Sequence, residues 1–221
     1  MTATTPMSAV TGSMPRIGDT APDFTVLTTQ GELTFSKYAE GGWVMLFSHP
    51  ADFTPVCSTE LAEFNRRKAD FDKRGVKLIG LSIDSIHSHI AWRENLAKLF
   101  ETRIAYPMIA DNNMAVAQLY GMIHPGASVT ATVRAVFVID PKRVVRAMVY
   151  YPLNVGRSVD EVLRLFDALQ TVDQHGVACP VNWKPGDKVI VPPPKTEKEA
   201  EDRMSNKAYE RMDVYLCKRT L

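Results

Sequence analysis

Two hydrophobic periods take turns along most of this chain. Runs rich in branched and aromatic residues read as strands: "DFTVLTT", "WVMLFSH", "VKLIGLSID" (76–84), "RAVFVID" (134–140) and "VRAMVYY" (145–151). The last two, turning through "PKRV", predict a hairpin. Between the strands, apolar positions recur at helical spacing and predict helices over 55–73, 86–99, 112–120 and 158–171. Ser158 and Glu161 form a capping box ahead of Val162, Phe166 and Leu169. Strands alternating with helices and closing on a hairpin imply an α/β domain with a mixed sheet.

After Thr171 the pattern fades. "HGVACPVNWKPGDKVIVPPPKTEKEAEDR" holds five of the fourteen prolines and little periodicity, and "TEKEAEDRMSNKAYERM" then reads as a charged, exposed helix. The expected organisation is a leader over 1–14, an α/β domain over 15–171 and an extension over 172–221. The extension would pack on the main domain or on a second subunit. No internal repeat is present.

Composition narrows the function classes. A chain of 221 residues supports one sizeable core with a small appendage. Lys+Arg 26 against Asp+Glu 25 leaves a net charge of +1, so no global field favours nucleic acid or anionic lipid. No apolar run approaches the ~18–20 residues of a spanning helix. The Thr- and Ser-rich start lacks the basic and apolar blocks of a secretory signal, so a cytoplasmic setting is expected. Cys57, Cys179 and Cys217 are spaced too widely for a disulfide framework or a zinc site. His87 and His89, two apart on a helix, do not face each other, and no metal is expected.

The chemistry concentrates in "HPADFTPVCSTE", residues 49–60. Cys57, Leu61, Phe64, Lys68 and Phe71 share one helical face, apolar apart from the lysine, so Cys57 points toward the protein body. Pro55 suits the first helical position and Thr54 the N-cap. Cys57 then lies in the first turn, where unpaired N–H groups and the macrodipole favour an anion. A buried packing cysteine is the alternative, but it needs neither this location nor the neighbouring proline, threonine and histidine. His49 closes the preceding strand, either as a partner of the thiol or as a capping or surface histidine. Arg134 opens the strand "RAVFVID", either as a solvated strand-end charge or as a permanent cation for a thiolate.

Pro50, Thr54 and Cys57 reproduce the P-x-x-x-T-x-x-C signature of the peroxiredoxins, and "FSHPADFTPVCSTEL" resembles the one-cysteine subgroup in particular. The likeness continues through "VKLIGLSID", "HIAW", "YPMIAD", "RAVFVID", "YPLNVGRSVDEVLR" and "PVNWKPGD". It implies a thioredoxin-like fold, with a central mixed β-sheet flanked by helices and a smaller C-terminal extension. It also implies a peroxidase that reduces hydrogen peroxide and organic hydroperoxides without a cofactor. Cys57 would be the peroxidatic cysteine, Thr54 would hydrogen-bond the peroxide, Pro50 would shield the thiol, and Arg134 would hold the thiolate and polarise the O–O bond. His49 would line the pocket, and Glu60 and Arg157 would orient the first arginine.

The implied partners are a hydroperoxide and an external thiol of thioredoxin, glutaredoxin or glutathione type. The implied assembly is a homodimer, which related chains build into a decameric ring. Cys217, near the chain end, is a candidate resolving thiol on a mobile tail, whereas Cys179 reads as structural. The phospholipase activity of some subgroup members is not expected, because Ser36 lacks flanking glycines at the required spacing. Two rival readings use the same cysteine. A disulfide oxidoreductase would need a CxxC pair that is missing. A redox-sensing or holdase-type oligomer would need no rapid turnover.

Overall fold

The computed structural model describes residues 14–221. They fall into two compact units, divided between Arg157 and Ser158. This division comes one helix ahead of the change in sequence texture at Thr171. The expected leader lies outside the described residues except for Met14.

The first unit contains β1 (Thr25–Thr28), β2 (Gly31–Thr34), α1 (Phe35–Ala39), β3 (Trp43–Ser48), α2 (Pro55–Arg66), α3 (Lys68–Asp72) and β4 (Val76–Ser82). It continues with α4 (Ile86–Phe100), β5 (Met108–Ala110), α5 (Ala115–Leu119), β6 (Arg134–Ile139) and β7 (Val145–Tyr151). The strands make one seven-stranded sheet in the order β2-β1-β5-β4-β3-β6-β7. β3 runs parallel to β4 and β4 to β5, whereas β3–β6 and β6–β7 are antiparallel. The sheet is therefore mixed, as the strand–helix alternation predicts, and the fold is thioredoxin-like.

β3 and β6 are buried along their whole length. Side chains alternate across the sheet, so Val44, Leu46, Ala135 and Phe137 join one apolar cluster with Phe35, Val116 and Tyr120. Phe47 faces the other way and meets Phe64 of α2 at a ring separation of 4.9 Å and Tyr106 at 5.6 Å. The same alternation puts Arg134 on the α2 side, opposite to Ala135. A helix that starts where the central strand β3 ends, and a β6 residue aimed at it, make the site.

Several helices differ from their sequence expectation. The span 55–73 is two helices, because Arg67 leaves helical geometry (φ −87, ψ 5) and its guanidinium pairs with Asp70 in the first turn of α3. The helix expected over 112–120 starts only at Ala115. Met114 takes a left-handed conformation (φ 57), and the Asp111 carboxylate accepts the N–H groups of Val116 and Ala117.

The second unit contains α6 (Val159–His175), β8 (Val189–Val191), α7 (Glu197–Ser205), β9 (Glu210–Arg211) and β10 (Cys217–Arg219). The Ser158 hydroxyl accepts from the Glu161 N–H, but the Glu161 carboxylate pairs with Arg164 instead of returning to Ser158, so only half of the expected capping box forms; α6 runs on until Gly176 (φ 60) ends it. The charged segment is helical only to Ser205 and then turns into β9, in a small sheet ordered β8-β10-β9. Ala168, Val177, Trp183 and Val189 form this unit's own apolar cluster.

Candidate active site

Pro55 occupies the first turn of α2, Thr54 is the N-cap residue, and Cys57 follows in the same turn, fully buried. One local detail departs from expectation. The Thr54 hydroxyl does not cap the helix but donates to the Ala51 carbonyl at 2.8 Å, so the first-turn amides are not spent on it. Its donor is committed, so Thr54 presents lone pairs to anything placed above the helix start. Pro50, four residues earlier, is buried. Phe53 carries a positive φ of 53, a conformation a bulky residue adopts only under constraint.

Arg134, brought to α2 by the antiparallel pairing of β6 with β3, donates from Nη1 to Cys57 Sγ at 3.2 Å and to Glu60 Oε2 at 2.7 Å. Its Nε and Nη2 donate to the Leu153 carbonyl at 3.0 and 2.5 Å. The guanidinium is thus gripped on both edges, with the second Nη1 hydrogen on sulfur. A permanent cation against sulfur at a helix N-terminus is the kind of environment in which thiolate nucleophiles occur.

Glu60 joins this arginine to a second one. Its Oε1 accepts from the Arg157 backbone N–H at 2.7 Å and Nε at 2.8 Å, and its Oε2 accepts from Arg157 Nη2 at 2.7 Å. Arg157 Nη1 donates to the carbonyls of Ser48 and Ala135 at 3.0 and 2.9 Å. Its guanidinium also lies 5.3 Å from the ring centres of both Phe47 and Phe64. Burial alone would raise the Glu60 carboxyl, but the attraction and hydrogen bonds of Arg157, with Arg134 adding to them, hold it below the ordinary carboxylate range.

His49 is neither exposed nor a helix cap. It is fully buried, with Nε2 on Asp52 Oδ1 at 2.9 Å and Nδ1 without a partner among the described residues. The other Asp52 oxygen meets His89 Nδ1 at 2.8 Å, and His89 Nε2 faces the Ile109 carbonyl at 3.0 Å. Both His89 nitrogens therefore face acceptors. Burial pushes the Asp52 carboxyl up, yet the hydrogen bonds from His49 and His89 win and bring it down to about 2. Burial lowers the His49 imidazole, and Asp52 opposes that only in part.

The donor atoms of His49, Asp52 and His89 lie within 4.8 Å of one another, close enough in principle to hold a metal ion. Hydrogen bonding of each Asp52 oxygen to one histidine accounts for their approach. Sequence reasoning misses Asp52 and the role of His89. The usable signal is the aspartate three residues after His49, whereas His89 invites comparison only with His87.

The other cysteines stand apart. Cys179 is half-buried, its thiol pushed up by burial, with Sγ 3.7 Å from the Ala168 carbonyl. Cys217 is not on a free tail as expected. It is buried in β10, paired with Val191 and Arg211, and Sγ donates to the Asp213 carbonyl at 3.3 Å. Among the described residues no helix is long and apolar enough to cross a membrane.

The structure thus sets a single thiol in the first turn of a helix against an anchored arginine, on a thioredoxin-like fold. Residues 17–148 match the AhpC/TSA family and residues 168–207 the C-terminal domain of 1-Cys peroxiredoxin. A peroxiredoxin of Aquifex aeolicus is 52% identical over 217 residues, covering 94% of this chain and 97% of the relative. One of Archaeoglobus fulgidus is 49% identical, covering 86% and 90%. Among solved structures, a yeast mitochondrial 1-Cys peroxiredoxin superposes with a TM-score of 0.86 at 42% identity, covering 94% of this chain and 100% of that one. The peroxiredoxin 6 of Arenicola marina gives 0.83 at 36% identity, covering 93% and 97%. The chain belongs to the peroxiredoxin family, in its one-cysteine subgroup.

Proposed function

We propose that Cys57 is the peroxidatic thiol and that Thr54, Pro50 and Arg134 complete its machinery. The 3.2 Å contact between Arg134 Nη1 and Cys57 Sγ, made by a guanidinium already pinned to Glu60 and Leu153, carries this reading. The thiolate attacks one peroxide oxygen. An S–O bond forms, the O–O bond breaks, and the departing oxygen takes a proton to leave as water or alcohol, giving Cys57 sulfenic acid. Arg134 stabilises charge developing on the oxygens, and Thr54 accepts a hydrogen bond from the peroxide O–H. Pro50 keeps bulk water off the sulfur. Glu60 and Arg157 act through Arg134, and His49 lines the pocket.

An external thiol of thioredoxin, glutaredoxin or glutathione type returns the sulfenic acid to thiol. The yeast mitochondrial 1-Cys peroxiredoxin similar to this chain is described as resolved via glutathione/thioredoxin systems, which supports that class of reductant. The burial of Cys217 weighs against a resolving role for it. The working form is a cytoplasmic homodimer able to build a decameric ring, with 15–171 as the peroxidase domain and 172–221 as its extension. Sedimentation of the reduced protein measures the assembly.

The decisive test adds one equivalent of hydrogen peroxide to reduced protein with a sulfenate trap present, followed by peptide mass. An adduct on Cys57 alone is expected. A Cys57–Cys217 disulfide would overturn the external reductant, and Cys57 left reduced while peroxide persists would overturn the catalytic assignment.

A further inference from the structure

Arg134 must be aimed as well as anchored, and its backbone is unusual. Ala135 N–H donates to the Val133 carbonyl at 3.1 Å, a bond across only two residues that makes Arg134 the apex of a tight turn at the very start of β6. The regular pairing of β3 with β6 stops at Phe47 and Val136, one residue short of this turn.

Ser48 fills the gap. Its buried hydroxyl donates to the Val133 carbonyl at 2.6 Å and accepts from the Ala135 N–H at 3.1 Å. One side-chain oxygen thus joins the peptide groups on either side of Arg134. The carbonyl of the same residue receives Arg157 Nη1 at 3.0 Å. Ser48 therefore holds the residues on either side of one arginine and the side chain of the other.

We infer that Ser48 is a positioning residue for the peroxidase reaction: its hydroxyl sets the direction in which Arg134 leaves β6 and hence where the guanidinium meets sulfur and peroxide. The inference rests on Arg134 acting on the peroxide as proposed above. A displacement of about 1 Å in a positioning group can cost on the order of 100-fold in rate, so removal of the hydroxyl is expected to cost about 10- to 100-fold.

The test measures two rate constants at Cys57 by peptide mass: oxidation by hydrogen peroxide and alkylation by iodoacetamide. Their ratio isolates what Arg134 does for the O–O bond, which alkylation does not need. The variants are Ser48→Ala, Ser48→Cys (nearly isosteric, but a far weaker hydrogen-bonding group), Ser48→Thr, Thr132→Val and Arg134→Ala. Thr132 is a matched control. It is equally buried and its hydroxyl ties the same two strand ends through the His49 carbonyl at 2.8 Å, but it bonds neither the Val133 carbonyl nor the Ala135 N–H that flank Arg134.

Expected is a ratio lowered about 10- to 100-fold in Ser48→Ala and Ser48→Cys, restored in Ser48→Thr, and unchanged in Thr132→Val. Should Ser48→Ala not fold, Ser48→Cys decides. A wild-type ratio in the deciding variant alongside a lowered one in Arg134→Ala overturns the inference alone. A wild-type ratio in Arg134→Ala overturns the underlying role of the arginine. An equal loss in Thr132→Val would show general loosening of the strand ends and also overturn it.

Discussion

Replacing Glu60 by glutamine tests the buried ion network most directly. In the wild type, four N–H donors from two arginines converge on one carboxylate whose side chain is 3% exposed, and the guanidiniums are 2% and 0% exposed. The introduced amide can keep its oxygen toward the Arg157 main-chain N–H and Nε. Its NH2 group then faces Arg157 Nη2 and Arg134 Nη1, donors against donors, with no anion between two buried cations. Removing one partner of a buried pair costs about 3–5 kcal/mol, and solvent is too distant to screen the loss. The Leu153 carbonyl still holds Arg134, so the chain is expected to fold.

The pH dependence of Glu60→Gln follows from the carboxyl being held below its ordinary value. Its stabilisation is complete above the unfolded value of about 4.3 and is lost as pH falls through the lower folded one. Urea unfolding from pH 7 to pH 3 should give a gap of about 3–5 kcal/mol between wild type and variant at neutral pH, narrowing on acidification. The peroxide rate constant should fall at least about tenfold, as the aim of Arg134 loosens. A variant within about 1 kcal/mol of wild type at pH 7, the range of a surface pair, or a gap that stays constant to pH 3, would refute the reasoning.

Other substitutions probe separate parts of the fold. Asp52→Asn should remove an acid-sensitive contribution of about 2 kcal/mol, from a carboxyl brought from 3.8 to about 2; the gap to wild type, followed by urea unfolding, should close between pH 4 and pH 2. Gly80→Ala places a methyl 3.2 Å from Phe47 Cζ, a ring already packed against Phe64 and Tyr106, and should lower stability by about 1–3 kcal/mol in the same assay. Thr54→Val removes both the tie to Ala51 and the lone pairs above the helix; peroxide oxidation should slow more than alkylation does. Cys217→Ser should keep steady-state turnover with a small external thiol, and loss of turnover would make that sulfur a participant.

The parts of this protein that can be read from sequence are those decided by near neighbours. Thr54, Pro55 and Cys57 announce a helix start and its occupant within four residues, and the largely apolar runs of β3, β4 and β6 leave little alternative to buried strands. The unread parts depend on residues that only the fold brings together, such as Asp52 with His89 or Ser48 with the Val133 carbonyl. The roles of Glu60 and Arg157 follow from family resemblance alone, because nothing in their spacing links positions 97 residues apart. β2, β5 and the strands of the small sheet have four residues or fewer, too short to display a period. The break at Arg67 is hidden because the apolar face continues through it to Phe71.

The network around Glu60 gives the sulfur an electrical history. With Cys57 as thiolate, two guanidiniums and two anions sum to zero inside a nearly dry enclosure. Conversion to the neutral sulfenic acid removes one anion and leaves an excess positive charge that water cannot dissipate. On the proposed mechanism the oxidised site favours either event that returns an anion to sulfur: attack by a reductant thiol, which regenerates the Cys57 thiolate by way of a mixed disulfide, or oxidation by a second peroxide, which leaves a sulfinate on Cys57. Repair and damage end in the same neutrality, so arginines that act as proposed do not choose between the two outcomes. That choice falls to whichever reagent, thiol or peroxide, arrives first.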